Sequence, residues 1–142
     1  MYYKNKTHQR IFEEQVNGNP CKCPNEYLAA LYLLTADRDL RRAAKYEIER
    51  KVIDFSKIRP KEYTTNNYTV FIVAKDIYHG ETHITLKDIC DRYLVPDKLF
   101  DLFLTAIQIC RLGYTYTGVK KCSTELDTYI AKRRKSHERN CI

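Results

Sequence analysis

Apolar residues recur along this chain at the spacing of α-helices, and turn-forming residues separate the repeats. The strongest repeat, residues 27–34, is apolar nearly all round and is therefore expected at the centre of a core. Before it, Thr7 is a candidate cap for a first helix that ends near Val16. Pro24 suits the first turn of the second helix, which should reach about Ala36.

A third helix is predicted to begin at Asp37 or Asp39 and to run toward Val52. Its core-facing positions recur at helical spacing and are Leu40, Ala44 and Ile48. Residues 54–63 form a predicted connector, which is interrupted at Pro60.

A fourth helix is predicted after Asn66 or Asn67, with Gly80 as its end. Residues 68–73 also suit a strand, because Tyr, Thr, Val, Phe and Ile favour sheets, but the wide apolar faces of the segment favour a helix. A fifth helix should follow the Thr85–Asp88 capping box. Its expected apolar stripe is Leu86, Ile89, Cys90 and Tyr93.

Pro96 and Asp97 open a long predicted helix that ends before Gly113. Ser123 is a candidate cap for a last helix, which is expected to dock through Leu126, Tyr129 and Ile130. Together these patterns predict an all-α fold. The expected form is a single compact bundle of five to seven helices over 1–131, with a loop or a short β-hairpin near 114–120 and a basic C-terminal tail at 132–142.

Composition agrees with one ordinary globular domain. The chain has 142 residues, 44% of them apolar, and only 4 Gly and 4 Pro, which argues against a disordered chain. The polar start of the chain lacks the apolar core of a signal peptide, and no apolar run is long enough to span a bilayer. We therefore expect a cytoplasmic protein whose six cysteines stay reduced.

Four cations lie at spacing i, i+3, i+4, i+7, which places them on one side of a helix. This cation ridge consists of Arg38, Arg41, Arg42 and Lys45. The chain carries a formal charge of +7, so an acidic partner such as nucleic acid or an acidic protein surface is favoured. The tail offers a second candidate contact, made of Lys132, Arg133, Arg134 and Lys135. The alternative is a solvated face with local pairs, for example Lys45 with Glu49.

Residues 83–121 have the outline of a winged helix-turn-helix: short helix, turn, long helix and a Tyr/Thr segment. The side chains argue against sequence-specific DNA binding by this motif. The long helix is rich in Leu, Phe and Ile, and its start carries Asp97 and Asp101 beside a lone Lys98, so that two carboxylates would repel phosphate. A core helix that is buried on most sides is the favoured interpretation.

Tyrosine is unusually frequent, with 12 residues and no tryptophan. Tyrosine rings can stack on bases or anchor interfaces, although core packing explains those on apolar helix faces. The residues expected in the core are Tyr27, Tyr32, Tyr68, Tyr78, Tyr93 and Tyr129. Those left for a surface role are Tyr2, Tyr3, Tyr63, Tyr114 and Tyr116.

Metal binding and catalysis receive little support. Two pairs could supply zinc ligands if the chain ends meet, but the first is more tightly spaced than usual. They are Cys21 with Cys23, and His137 with Cys141.

Cys90 and Cys110 are expected to be small buried residues. His79 and His83 near Asp76 could form a metal or acid–base pair, but a hydrogen-bonded loop histidine is favoured. No phosphate loop, nucleophile elbow or HExxH motif is present, so we expect a protein that is not an enzyme and needs no cofactor.

Several segments resemble a family of small uncharacterised proteins encoded on conjugative elements and prophages of clostridia and related Gram-positive bacteria. The likeness is carried by residues 68–71, 74–80, 83–88, 95–100 and 106–113, and residues 4–8 and 29–36 fit as well, so that it covers roughly residues 4–113. The resemblance implies no activity, cofactor or functional residue. It implies that the protein is an accessory protein of an invading genetic element. Such a protein would bind nucleic acid or disable host defence.

Two hypotheses follow from the charge and from this resemblance. The first is a non-catalytic, nucleic-acid-binding accessory or regulatory protein that uses the cation ridge and the tail. The second is a protein inhibitor of a host defence system, of the anti-CRISPR type, which would act by direct protein binding.

Overall fold

The chain folds into short helices around one apolar helix. The computed structural model describes residues 1–17 and 23–114, and within these ranges it contains seven α-helices and no strand. Their bounds are α1 Lys6–Val16, α2 Asn25–Ala36, α3 Arg38–Ala43, α4 Lys45–Arg50, α5 Thr65–His79, α6 Leu86–Cys90 and α7 Asp97–Leu112. A single 3-10 turn, Phe55–Lys57, interrupts the connector between α4 and α5. The all-α prediction is confirmed.

The apolar helix α2 occupies the centre of the core, as its sequence predicts. All residues from Tyr27 to Ala36 are buried. Helices α1, α3, α5 and α7 all pack against α2. A helix that is apolar on every side needs such neighbours, because each uncovered face would leave hydrocarbon in water.

Helix ends follow local capping signals, with two corrections. Asn5, rather than Thr7, caps α1, because its side chain accepts a hydrogen bond from the His8 N–H at 2.8 Å. Thr64, rather than Asn66 or Asn67, caps α5; it exchanges two hydrogen bonds with Asn67 in a capping box. The predicted stops hold: α5 ends at Gly80, whose φ of +68° suits glycine.

The predicted third helix is two helices, which is a further correction. Asp37 caps α3 by accepting from the N–H groups of Asp39 and Leu40, and the helix breaks at Ala44, where φ is −93° and ψ is 0°. The chain then continues as α4, and this helix ends at Lys51, whose backbone adopts the left-handed conformation. Leu40, Ala44 and Ile48 are buried as predicted, so the apolar stripe stays on the core across the break.

The Thr85–Asp88 capping box of α6 is confirmed, but its apolar stripe is not. Leu86 is 82% exposed and Tyr93 is 98% exposed. Cys90 is also exposed, against expectation, while Cys110 is half-buried. With only five residues, α6 is too short to bury a face, so Leu86 and Cys90 are exposed and Ile89 is half-buried.

Helix α7 has the predicted bounds but is less buried than predicted. One side, including Leu99, Phe103 and Ile109, lies in the core. The other side exposes Phe100, Leu104 and Ile107, each by about two-fifths of its surface. Tyr68, expected in the core, is likewise half exposed. Of the alternative hairpin at 114–120, only Tyr114 is described, and residues 115–120, the helix after Ser123 and the tail lie outside the described residues. No helix among the described residues combines the length and apolarity that crossing a membrane requires.

A fully buried histidine links α1 to α2. The His8 Nδ1 accepts from the Lys4 N–H at 3.1 Å, and its Nε2–H donates to the Tyr32 carbonyl at 2.8 Å. The ring packs edge-on against Tyr3 and tilted against Tyr32. Both nitrogens are satisfied only in the neutral form, because a proton on Nδ1 would face the Lys4 donor.

Burial lowers the pKa of His8 from 6.5 to about 4, and the positive charges of Arg41 and Lys4 contribute, while the Tyr32 carbonyl opposes the shift. Below pH 6.5, His8 is therefore protonated in the unfolded chain, whereas in the folded protein it stays neutral until the pH is near 4. The free energy of unfolding should fall as pH drops through this window, by about 3 kcal/mol in total. Urea denaturation at pH 7.0, 6.0, 5.0 and 4.5 measures this loss.

His8→Gln is the matched control, since glutamine offers a donor and an acceptor but does not titrate in this range. Its stability curve should be flatter between pH 6.5 and 4 than that of the wild type. Parallel curves for the two proteins would contradict the assignment of a neutral buried imidazole.

Candidate functional site

The cation ridge begins immediately after the central helix. Asp37 ends α2 in an extended conformation and caps α3, which turns the chain so that Leu40 points into the core. The polar positions of α3 and α4 then point outward. Arg38, Arg42 and Lys45 are exposed, as the spacing predicts.

The exposed cations of the ridge are not neutralised within the described part of the chain. There, no ion pair involves Arg38, Arg42 or Lys45, and the alternative pair of Lys45 with Glu49 does not form. The nearest ion pair along the chain joins Arg50 to the buried Glu47 at 3.7 Å. Arg38, Arg42 and Lys45 therefore face solvent with no carboxylate of the described residues within ion-pairing distance.

Arg41 differs from its neighbours because it is half-buried and anchored. Its Nη1–H donates to the Thr35 carbonyl at 2.9 Å, which satisfies an oxygen in the last turn of α2. Burial lowers the pKa of the guanidinium; Asp37 opposes this, and the charges of Arg10, Arg38 and Arg42 add to it. Arg41 thus ties the ridge to the core rather than standing free.

Arg10 on α1 lies close enough to Arg41 to lower the pKa of that guanidinium. Its own partner is Glu14, one turn along α1 at 3.2 Å, in a pair that is largely exposed on both sides. The interaction energy of such exposed ion pairs is small, so Arg10 can readily exchange Glu14 for another partner. Arg10 is therefore a neighbour of the cation ridge that helical spacing within one segment could not reveal.

The histidines near Gly80 do not form one site. His83 Nδ1 lies 2.7 Å from Asp76 and 3.2 Å from Glu81, and the second oxygen of Asp76 accepts from the Ile84 N–H at 2.7 Å. His79 instead packs on Phe55. The expected hydrogen-bonded loop histidine is confirmed for His83.

Within the described residues, Asp76, Glu81 and His83 are the group of donors close enough to hold a metal ion. Both oxygens of the buried Asp76 already accept hydrogen bonds, from His83 and from the Ile84 N–H. These bonds attach the loop after α5 to that helix and explain the arrangement without a metal ion. Among the candidate zinc ligands, Cys23 is half-buried, and Cys21, His137 and Cys141 lie outside the described residues. So does the basic run at 132–135, the second predicted contact.

No protein-family model matches this sequence, and no curated protein or solved structure is significantly similar to it. The resemblance to proteins of mobile elements stays a prediction. The charged surface of α3 and α4 is the feature of the described residues that bears most directly on function.

The different environments of the ridge arginines lead to a test. Arg41→Gln should lower the free energy of unfolding by about 1–2 kcal/mol, because the buried Thr35 carbonyl loses a charged donor. Arg38→Gln and Arg42→Gln should each change it by less than about 0.5 kcal/mol, since these side chains are exposed. Urea denaturation of the three variants at pH 7 makes the comparison. Equal stabilities for all three would contradict the anchoring role of Arg41.

Proposed function

We propose that this protein is a non-catalytic accessory or regulatory protein of a mobile genetic element, and that its cation ridge binds the phosphate backbone of nucleic acid. The observation that supports the proposal is the exposure of Arg38, Arg42 and Lys45 without carboxylate partners in the described part of the chain. Cations already paired within the molecule would have to break those pairs before meeting phosphate. Among the described residues, Arg38, Arg42 and Lys45 have no such pairs to break.

The position of the ridge adds two favourable features. Arg41 is held by the Thr35 carbonyl, so part of the ridge is ordered before a partner arrives. Arg10 contributes further positive charge beside it. Cations that meet phosphates release condensed counterions, and this release gives binding energy that depends steeply on salt and little on sequence.

An electrophoretic mobility assay with a duplex of random sequence at two salt concentrations tests the proposal. A triple variant, Arg38→Gln with Arg42→Gln and Lys45→Gln, should bind more weakly than the wild type. The slope of log affinity against log salt should fall by about 0.9 for each phosphate that the variant no longer neutralises. Arg41 is left in place so that stability is preserved.

The matched control removes the same net charge elsewhere, through Lys61→Gln, Lys87→Gln and Lys98→Gln, all at exposed positions outside α3 and α4. This control should retain the wild-type slope. Equal reductions in slope for both triple variants would show that net charge alone attracts the nucleic acid. Absence of salt-dependent binding in the wild type would remove the proposal.

The exposed apolar side of α7 favours a second candidate, a protein inhibitor of a host defence system. Phe100, Leu104 and Ile107 recur at i, i+4, i+7 on this side, which is the spacing of helix faces that dock on partners. Leu104→Gln with Ile107→Gln should then abolish capture of a defence-system protein from a Gram-positive host extract. The ridge triple variant should still capture it. Capture that survives removal of the α7 side chains would contradict this candidate.

A further inference from the structure

A cleft of about 430 Å³ opens between the connector after α4 and the second half of α5. The connector contributes Asp54, Phe55, Arg59 and Tyr63, and α5 contributes Lys75 and His79. The volume is in the range of sites for small organic ligands. The cleft contains none of the cation-ridge residues, so it is a separate feature of the surface.

Aromatic rings form the wall of the cleft. The buried Phe55 ring lies 5.6 Å from the rings of both Phe71 and His79, at steep angles. Tyr63 contacts Tyr68 edge-on at 5.4 Å and Phe71 at 6.2 Å. The Tyr63 ring is thereby supported on one side, while 48% of the residue remains exposed. A supported and exposed ring of this kind can stack on a planar ligand.

Two cations reach the cleft from different elements. Arg59 comes from the connector and is exposed, and Lys75 comes from α5 and is half-buried. Within the described residues neither belongs to an ion pair. The pKa of the Tyr63 hydroxyl is raised by burial and by Tyr68, and Arg59 opposes the rise, which places its charge near the phenol.

The carboxylate that lines the cleft is already engaged. Asp54 accepts from both the N–H and the hydroxyl of Ser56, at 3.1 and 2.6 Å, and so caps the 3-10 turn. Ser56 is the first cause of its lowered pKa, and Lys57 and Arg50 add to that effect. The Asp54 carboxylate is thus engaged within the 3-10 turn. With Arg59 and Lys75, the residues that line the cleft carry a net positive charge.

We propose that this cleft binds a nucleoside monophosphate. The phosphate lies between Arg59 and Lys75, whose N–H groups form charge-assisted hydrogen bonds with its oxygens. The base stacks on the open face of Tyr63 beside the Phe55–His79 wall. An inorganic anion would leave the aromatic wall uncovered, and an uncharged nucleoside would leave both cations without a partner, so a ligand with both parts fits best.

Isothermal titration of the full-length protein with AMP, adenosine and inorganic phosphate tests the proposal. AMP should bind saturably and at least about tenfold more tightly than either fragment, because only AMP uses the cations and the rings together. Arg59→Gln and Lys75→Gln should each weaken AMP binding by about tenfold. Lys61→Gln is the matched control, since Lys61 is an exposed cation two residues from Arg59 that does not line the cleft.

Each outcome decides the question. Equal affinity for AMP and phosphate would overturn the role of the rings, and failure of AMP to bind would overturn the site. Equally weakened binding in Lys61→Gln and Arg59→Gln would show that AMP binds elsewhere. The ridge triple variant should bind AMP as the wild type does, so this inference and the nucleic-acid proposal can fail independently.

Discussion

Burial of a helix that has no polar side is the constraint on which this structure depends. Residues 27–36 of α2 are buried without interruption, so the remaining helices must supply a complete apolar coat. Helices α1, α3, α5 and α7 provide it, and their polar sides become the surface of the protein. The buried polar atoms of this coat are satisfied as well: within the described residues no buried side-chain nitrogen or oxygen lacks a hydrogen-bond partner.

The same constraint determines where charge can be displayed. The last turn of α2 leaves carbonyl groups that no following helical turn can satisfy, and Arg41 donates to one of them from α3. His8 meets another α2 carbonyl from α1, but only as a neutral ring. The positive charge of Arg41 helps to keep that ring neutral, so the charged surface and the core are electrostatically linked.

Several features that depend on neighbours along the chain were predictable, although the caps of α1 and α5 were not, and contacts between separate segments were missed. Gly80 and Thr85 mark helix ends through local backbone and side-chain chemistry, and helical spacing predicts the exposure of Arg38, Arg42 and Lys45. The break at Ala44 has no glycine or proline to mark it in the sequence. The anchoring of Arg41 depends on an oxygen six residues earlier, and the aromatic cleft joins segments about twenty residues apart.

The break at Ala44 has a consequence for the shape of the charged surface. Leu40 secures α3 and Ile48 secures α4, each by its own buried side chain, and the Ile48 carbonyl also accepts from the Tyr27 hydroxyl at 3.1 Å. The arginines therefore belong to α3, and Lys45 is the first residue of α4. The spacing between the arginines and Lys45 therefore depends on how each of the two helices packs on the core. A change of volume beneath Leu40 or Ile48 would respace the charges without altering a single cation.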